Sequence, residues 1–404
     1  MKIQRTFPPT AAPLTVRDLV HGFAGFFMGD RFLEKIEAEI REYFGVKHVF
    51  LVSSGKAALT LILVALKGLS SKRDVLIPAY TCFSVPSAIC RARLNVSLCD
   101  VDPTTLDFDF TLLEKSLSER TLCVLPIHLL GLPSDVERVK TLCKDKGVFV
   151  VEDAAQAMGG RYNGSLLGTL GDVAFFSLGR GKNLTCGSGG IILTNSDRIA
   201  QVLQSEYAKL KIETPLKAAV NIFGVMAMRL LIHPRFYWLP AGLPFLKLGE
   251  TKFSDAFPMN RLDGLRAGLL LNWQERLDQS NSARRMAAKD LIERLPPRTE
   301  VVQSRLHMDP IYLRLPVMME SKEAKEKLCV LSKENGLGIT PFYPTSIQAI
   351  EELTNHLEKA EFPAGTMVAE RLVTLPVHHL LGDRDREKIC NTLNELHAVV
   401  SVPS

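Results

Sequence analysis

The chain has 404 residues, 46% of them hydrophobic and 23% charged, which is enough apolar material for one large core and a second smaller one. This composition excludes a disordered or fibrous protein, and a net charge of +5 spread without long basic runs gives nucleic-acid binding no support. The eight cysteines include no CxxC pair and lie in apolar surroundings, as in a reduced, cytoplasmic protein. Residues 1–19 lack the apolar stretch and small-residue cleavage site of a secretory signal.

Between residues 47 and 195, short β-branched or apolar runs alternate with longer amphipathic ones. Strands are expected at 48–52, 75–77, 96–101, 122–127, 148–152, 173–177 and 190–194, with helices at 56–67 and 134–146. Such alternation predicts an α/β fold with a mostly parallel sheet flanked by helices, in which ligands collect at the carboxyl ends of the strands. The pattern breaks at 203–253 into an apolar, proline-containing insert. Its longest apolar run, 218–232, is short of the ~20 residues that span a bilayer. The stretch 223–248 reads as a lid over a greasy acceptor or as peripheral contact with a membrane surface, and equally as a dimer interface or core filler. Beyond it a long helical pattern covers 261–295, followed by a strand at 310–315, a helix at 323–335 and a closing helix at 384–399. The expected division is a large domain, 1–255, with the insert at about 205–253, and a smaller C-terminal α/β domain, 256–404.

Three stretches carry chemistry. The run Val148-Phe149-Val150-Val151-Glu152-Asp153-Ala154-Ala155-Gln156 ends a strand in two acids, which delivers a carboxylate to the ligand-binding edge. A pyridoxal-phosphate (PLP) ring serves as an electron sink only while its nitrogen is protonated, and a partly buried carboxylate such as Asp153 holds that proton; the plain alternative is a helix cap. Further on, Ser177 ends a strand and a glycine-punctuated turn presents Lys182, whose desolvated amine suits Schiff-base chemistry; the plain alternative is a surface lysine. In Ser53-Ser54-Gly55-Lys56-Ala57 a strand turns into a helix whose first amides, lacking intrahelical partners, form an anion site. Alone, that turn is a capped helix. Together the three are parts of one PLP site, with Lys182 carrying the cofactor and Ser177 adding a hydroxyl to its phosphate.

With these stretches, and with DVLIPAYTCFSV, LCDVDPTTLDFD, TLCVLPIHLLGLPSD, TPFYPTS and TLPVHHLL, the chain resembles the DegT/DnrJ/EryC1/StrS aminotransferase family, the sugar-aminotransferase branch of PLP fold type I. The resemblance implies that Lys182 forms the internal aldimine and Asp153 pairs with the pyridine nitrogen. It further implies that Gln156 lies beside the phenolic oxygen and that Ser177, Gly55, Lys56 and Ala57 bind the phosphate. It also implies a homodimer with sites between subunits, in which Asn260 and Arg261 reach the partner's cofactor. Four positions depart from the family pattern: Lys56 replaces a usual Thr, Ser188 a frequent Glu, and Phe342 a frequent His. Cys82 stands where an aromatic often stacks on the cofactor ring, with Tyr80 and Phe83 as possible substitutes in that role.

The reaction implied moves an amino group from a donor, glutamate, to a keto group of a nucleotide-linked sugar. The rivals are a PLP-dependent dehydratase or deoxygenase, some of which replace the lysine by histidine, and a non-catalytic regulator of the same fold. His128 reads as a lining residue of the acceptor pocket or as a satisfied strand-end histidine; Arg180 as a holder of a substrate anion or a surface residue. His378 and His379 lack acids at ligand spacing, so no metal site is expected.

Overall fold

The computed structural model describes residues 3–213, 215–243, 251–304, 308–354, 357 and 360–400. Fourteen strands are described: β1 (His48–Val52), β2 (Asp74–Pro78), β3 (Asn95–Cys99), β4 (Thr121–Val124), β5 (Phe149–Asp153), β6 (Arg161–Tyr162), β7 (Ser165–Leu166), β8 (Val173–Ser177), β9 (Gly190–Thr194), β10 (Glu300–Val301), β11 (Met308–Asp309), β12 (Leu315–Met318), β13 (Thr340–Pro341) and β14 (Leu372–Leu375). Seven of them form the large sheet, in the order β1-β9-β8-β5-β4-β2-β3. From β3 to β8 neighbours run parallel, and β9 and β1 close one edge antiparallel. All five residues of β2 and of β9 are buried, as expected of unbroken apolar runs covered on both faces. The helix Gly55–Leu69 packs on this sheet with Leu59, Ile62, Leu63 and Leu66 out of water.

The smaller sheet, β10-β12-β14-β13, is antiparallel. Leu315, Val317, Val373 and Leu375 pack with Leu291 of the helix Trp273–Arg294, Leu328 of Lys322–Asn335 and Leu393 of Asp383–Val400. Phe7, from the far end of the chain, joins this core.

The helical pattern at 261–295 is two helices, Gly264–Leu269 and Trp273–Arg294. The Trp273 amide donates to the Leu270 carbonyl at 2.8 Å, a tight turn that sends both side chains into the large core. Periodicity ran on through three consecutive leucines and hid the break. The strand expected at 310–315 begins only at Leu315, because the amides of Ile311 and Leu313 donate to Gly131 and Leu130 at 3.2 and 2.7 Å.

The insert forms the helices Pro215–Leu231 and Trp238–Ala241; residues 244–248 of the expected lid lie outside the described part. Membrane contact through this insert is corrected: among the described residues no helix is long and apolar enough to cross a membrane. Ile222 and Val225 instead pack into the large core, and Arg229 donates to the Leu14 carbonyl at 3.1 Å. The apolar content of the segment is thus partly spent inside the protein.

The helix Val16–Phe44 crosses Gly264–Leu269 at the closest approach backbones allow. A methyl group on Gly25 would stand 2.1 Å from the Gly264 carbonyl oxygen, and one on Gly264 2.3 Å from Gly29 Cα. Neither obstacle is a side chain that can swing away. Gly264→Val is therefore expected to lower the stability by at least ~3 kcal/mol, the upper end of ordinary overpacking costs, read as a fall in the urea midpoint.

Candidate active site

The carboxyl ends of the parallel strands β5 and β8 build the site. Side chains alternate along a strand, so the adjacent acids Glu152 and Asp153 leave β5 in opposite directions. Glu152 is wholly buried. Its Oε1 accepts from His128 Nε2 at 2.8 Å and its Oε2 from the amides of Leu170 and Gly171 at 2.9 and 3.1 Å. His128 Nδ1 accepts from the Ser134 amide at 2.9 Å, which leaves Nε2 as the nitrogen that donates to Glu152. Burial raises the Glu152 carboxyl, but the His128 bond and the amides outweigh it and hold the group below its ordinary range. His128 thus acts behind the site, as a satisfied strand-end histidine.

Asp153 goes the other way. Burial pushes its carboxyl up, against the Ala155 amide at 3.0 Å and the charge of Lys182. Lys182 sits in the loop after β8, where burial pushes its amine down while Cys82 and Asp153 pull it back and Arg314 adds to the fall. The two groups lie in one electrostatic field. The loop is tied to the N-terminal strap, because Thr10 Oγ1 donates to the Gly181 carbonyl at 3.2 Å. Gly181 has φ +76, a conformation that favours glycine.

At the strand-to-helix turn, Ser54 Oγ accepts the Ala57 amide at 3.1 Å and caps the helix. Ala57 therefore spends its amide inside the turn, and Gly55 and Lys56 supply the first helical amides without intrahelical partners. A side chain on Gly55 would stand 2.9 Å from Ser177 Cβ and 3.1 Å from its hydroxyl, so the turn and Ser177 are in contact only because residue 55 is glycine. Lys56 lays its ammonium 4.5 Å over the Phe257 ring, and burial pushes its pKa down. Ser188 Oγ donates to the Ser53 carbonyl at 2.6 Å. The Asn260 amide donates to Ser53 Oγ and its carbonyl accepts the Ser53 amide, which clamps the turn within one chain. Arg261 is turned onto its own chain as well, donating to the carbonyls of Tyr207 and Ala208.

The smaller sheet contributes residues that sequence reasoning missed. Gln156 accepts the Leu130 amide at 2.9 Å and donates through Nε2 to Tyr343 Oη at 2.9 Å. Tyr80 Oη accepts the Tyr343 amide at 3.1 Å, so Tyr80 is a buried brace. Arg314, beside Phe342 and Tyr343, lies within electrostatic reach of Lys182. A lone arginine in the apolar run Ile311-Tyr312-Leu313-Arg314-Leu315 was the available signal. A cavity of about 470 Å³ between Leu14, Met228, Phe236 and His379 has none of these groups in its lining. Among the described residues no group of three or more His, Cys, Asp or Glu stands ready for a metal; His378 donates to the Pro8 carbonyl at 2.8 Å and is pushed down to about 3 by burial.

A buried amine, a buried carboxylate one strand away and an anion-seeking turn match the needs of a pyridine aldehyde carrying a phosphate. Thr81 Oγ1, buried beside Cys82 in sequence without a hydrogen-bond partner, adds an unsatisfied polar atom in this neighbourhood of the chain. Such a fold and site define an enzyme that works through PLP. The chain belongs to the DegT/DnrJ/EryC1/StrS aminotransferase family, whose model matches residues 21–227 and 243–394, and it is accordingly a PLP-dependent transaminase of fold type I. It is 26% identical over 394 residues to a pleiotropic regulatory protein of Geobacillus stearothermophilus, covering 95% of this chain and 94% of that one. It is 25% identical over 369 residues to a GDP-perosamine synthase of Vibrio cholerae, covering 90% of each. The solved sugar aminotransferase CalS13 of Micromonospora echinospora shares the fold, with a TM-score of 0.78 and 23% identity over 96% of this chain and 99% of that one.

Because folding holds the Glu152 carboxyl below its usual 4.5, its contribution is complete above that pH and is lost as pH falls through the lowered value. Glu152→Gln is expected to cost roughly 1–3 kcal/mol at neutral pH, because a side-chain amide nitrogen cannot accept the bonds one carboxylate oxygen takes and buried donors are left unsatisfied. Urea unfolding from neutral pH into the acid range checks this: the gap between wild type and variant should narrow only below 4.5.

Proposed function

We propose that this transaminase carries an amino group from glutamate to a keto group of a nucleotide-linked sugar, in the cytoplasm. What supports the catalytic assignment is that Asp153, buried at the end of β5, and Lys182, in the loop after the neighbouring β8, lie within electrostatic reach of each other. The GDP-perosamine synthase and the sugar aminotransferase named above support the acceptor class. Eight free cysteines support a reducing compartment.

PLP, when bound, supplies an electron sink that makes the hydrogen on the donor's α-carbon removable. Lys182 Nζ would hold the cofactor and, when freed, would take up that proton; burial lowers the amine's pKa from its ordinary value. Asp153, whose carboxyl burial pushes up, would face the ring nitrogen and hold its proton. Gln156, fixed by Leu130 and Tyr343, would face the cofactor's phenolic oxygen. Ser177 and the Gly55 and Lys56 amides take the phosphate; Asn260 holds their turn in place through Ser53. Ala57 serves the turn through its cap bond, and Cys82 lines the site between Lys56 and Lys182. The dehydratases that lack the lysine are disfavoured by Lys182.

Borohydride reduction of the loaded protein followed by peptide mass analysis tests the assignment, with the adduct expected on Lys182. Adding glutamate should convert the cofactor's absorbance to that of its amine form. A protein that binds PLP and ignores every amino donor would instead favour a regulatory role, for which the likeness to the pleiotropic regulatory protein speaks. Asp153→Asn is expected to retain the adduct and lose roughly 10²–10³ in the rate of the glutamate half-reaction, the usual cost of removing one preorganised electrostatic partner.

A further inference from the structure

Beside the smaller sheet lies a cation that no carboxylate among the described residues pairs with. Arg314 precedes β12 between the buried residues Leu313 and Leu315. Its Nη1 donates to Thr340 Oγ1 at 3.2 Å and its guanidinium lies 5.5 Å over the Phe342 ring. Its Nε is buried and bonds to nothing, and among the described residues Arg314 forms no ion pair. The groups that act on it electrostatically are the hydroxyls of Tyr343 and Tyr237, while it acts in turn on Lys182, Arg284 and His378. Arg284 differs in kind: fully buried, it donates to the carbonyls of Leu313 and Ala11 and to Thr10, so its hydrogens are used. On the Lys182 amine Arg314 acts as a cation and Asp153 as the carboxylate. Burying a guanidinium without a counter-charge is unfavourable unless a ligand supplies one.

Three anions are available to this site: the cofactor's phosphate, the phosphates of the acceptor and the carboxylate of the amino donor. The first belongs to the turn at Gly55 and Ser177 on the larger sheet, and Lys56 there has no electrostatic exchange with Arg314. The donor must bring its α-carbon to Lys182, and so brings its carboxylate to the same neighbourhood. We infer that Arg314 receives a carboxylate of the amino-acid donor, the planar guanidinium offering Nε and an Nη to the two oxygens.

This rests on the transaminase reading above, and the test separates the two. Glutarate, an unreactive dicarboxylate, is titrated calorimetrically into the PLP-loaded protein, wild type against Arg314→Met and Arg314→Lys. The Met variant should bind glutarate roughly 10–100-fold more weakly, the worth of a charge-assisted pair, and the Lys variant should recover part of the loss. The KM for glutamate should rise in parallel while PLP affinity and the KM for the keto-sugar stay fixed. The melting temperature of Arg314→Met should change little, since losing the Thr340 bond and the Phe342 contact is offset by relieving a guanidinium without a counter-charge; a merely structural arginine would show a clear drop. Unchanged glutarate affinity in a folded Met variant overturns the proposal, as does a defect confined to the keto-sugar KM or to PLP retention. If wild type binds glutarate through Arg314 yet never turns over glutamate, the carboxylate site stands and the glutamate assignment falls.

Discussion

An amine that is to work as a base near neutral pH has to be taken out of water without being handed a full set of counter-charges, because each acid nearby restores the pKa that burial took away. Burial lowers the Lys182 amine, and Asp153 and Cys82 restore part of the fall. Yet β5 ends in two acids, and a pair of carboxylates facing the lysine would have undone the effect. Strand alternation separates them. Glu152 is turned to the far side and satisfied by His128 and backbone amides, whereas Asp153 accepts from the Ala155 amide. Two neighbours in sequence therefore shift in opposite directions, Glu152 down and Asp153 up.

The same site depends on the two sheets keeping register. Gln156, just beyond β5, meets Tyr343 of the smaller sheet; Leu130 and Gly131 take the amides of Leu313 and Ile311; Arg284 joins the strap at Ala11 to Leu313. These are buried polar bonds, and a buried donor left without its acceptor is costly, so they fix one relative position where apolar contact alone would permit sliding. The strap itself, through Thr10 and Pro8, touches both the lysine loop and His378. The reactive amine is thus held from both ends of the chain.

The larger sheet was legible because parallel strands buried on both faces read as unbroken apolar runs, and the three chemical stretches lie where those runs stop. Their glycines and serines are forced by close approach, as at Gly55 against Ser177, and such constraints leave a mark in sequence. Arg314 and Tyr343 left little mark: they flank strands of four and two residues, too short for a period, and their partners are remote. The insert misled for a different reason. Apolar content does not say which face is covered, and Ile222 and Val225 are covered by the protein's own core.

Phe342 and Ser188 looked in sequence like separate losses from the family pattern. Ser188 keeps a tether on the phosphate turn by bonding Ser53. Phe342 packs its ring centroid 4.0 Å from that of Tyr343 and lies under the Arg314 guanidinium, so one apolar ring fixes both the tyrosine that braces Gln156 and the arginine nearest the lysine. A histidine at 342 would bring its own donor and acceptor to a place where Arg314 Nε is already buried and unpaired. Phenylalanine leaves that donor vacant for an anion from outside. Phe342 and Arg314 therefore meet on the side of the site contributed by the smaller sheet.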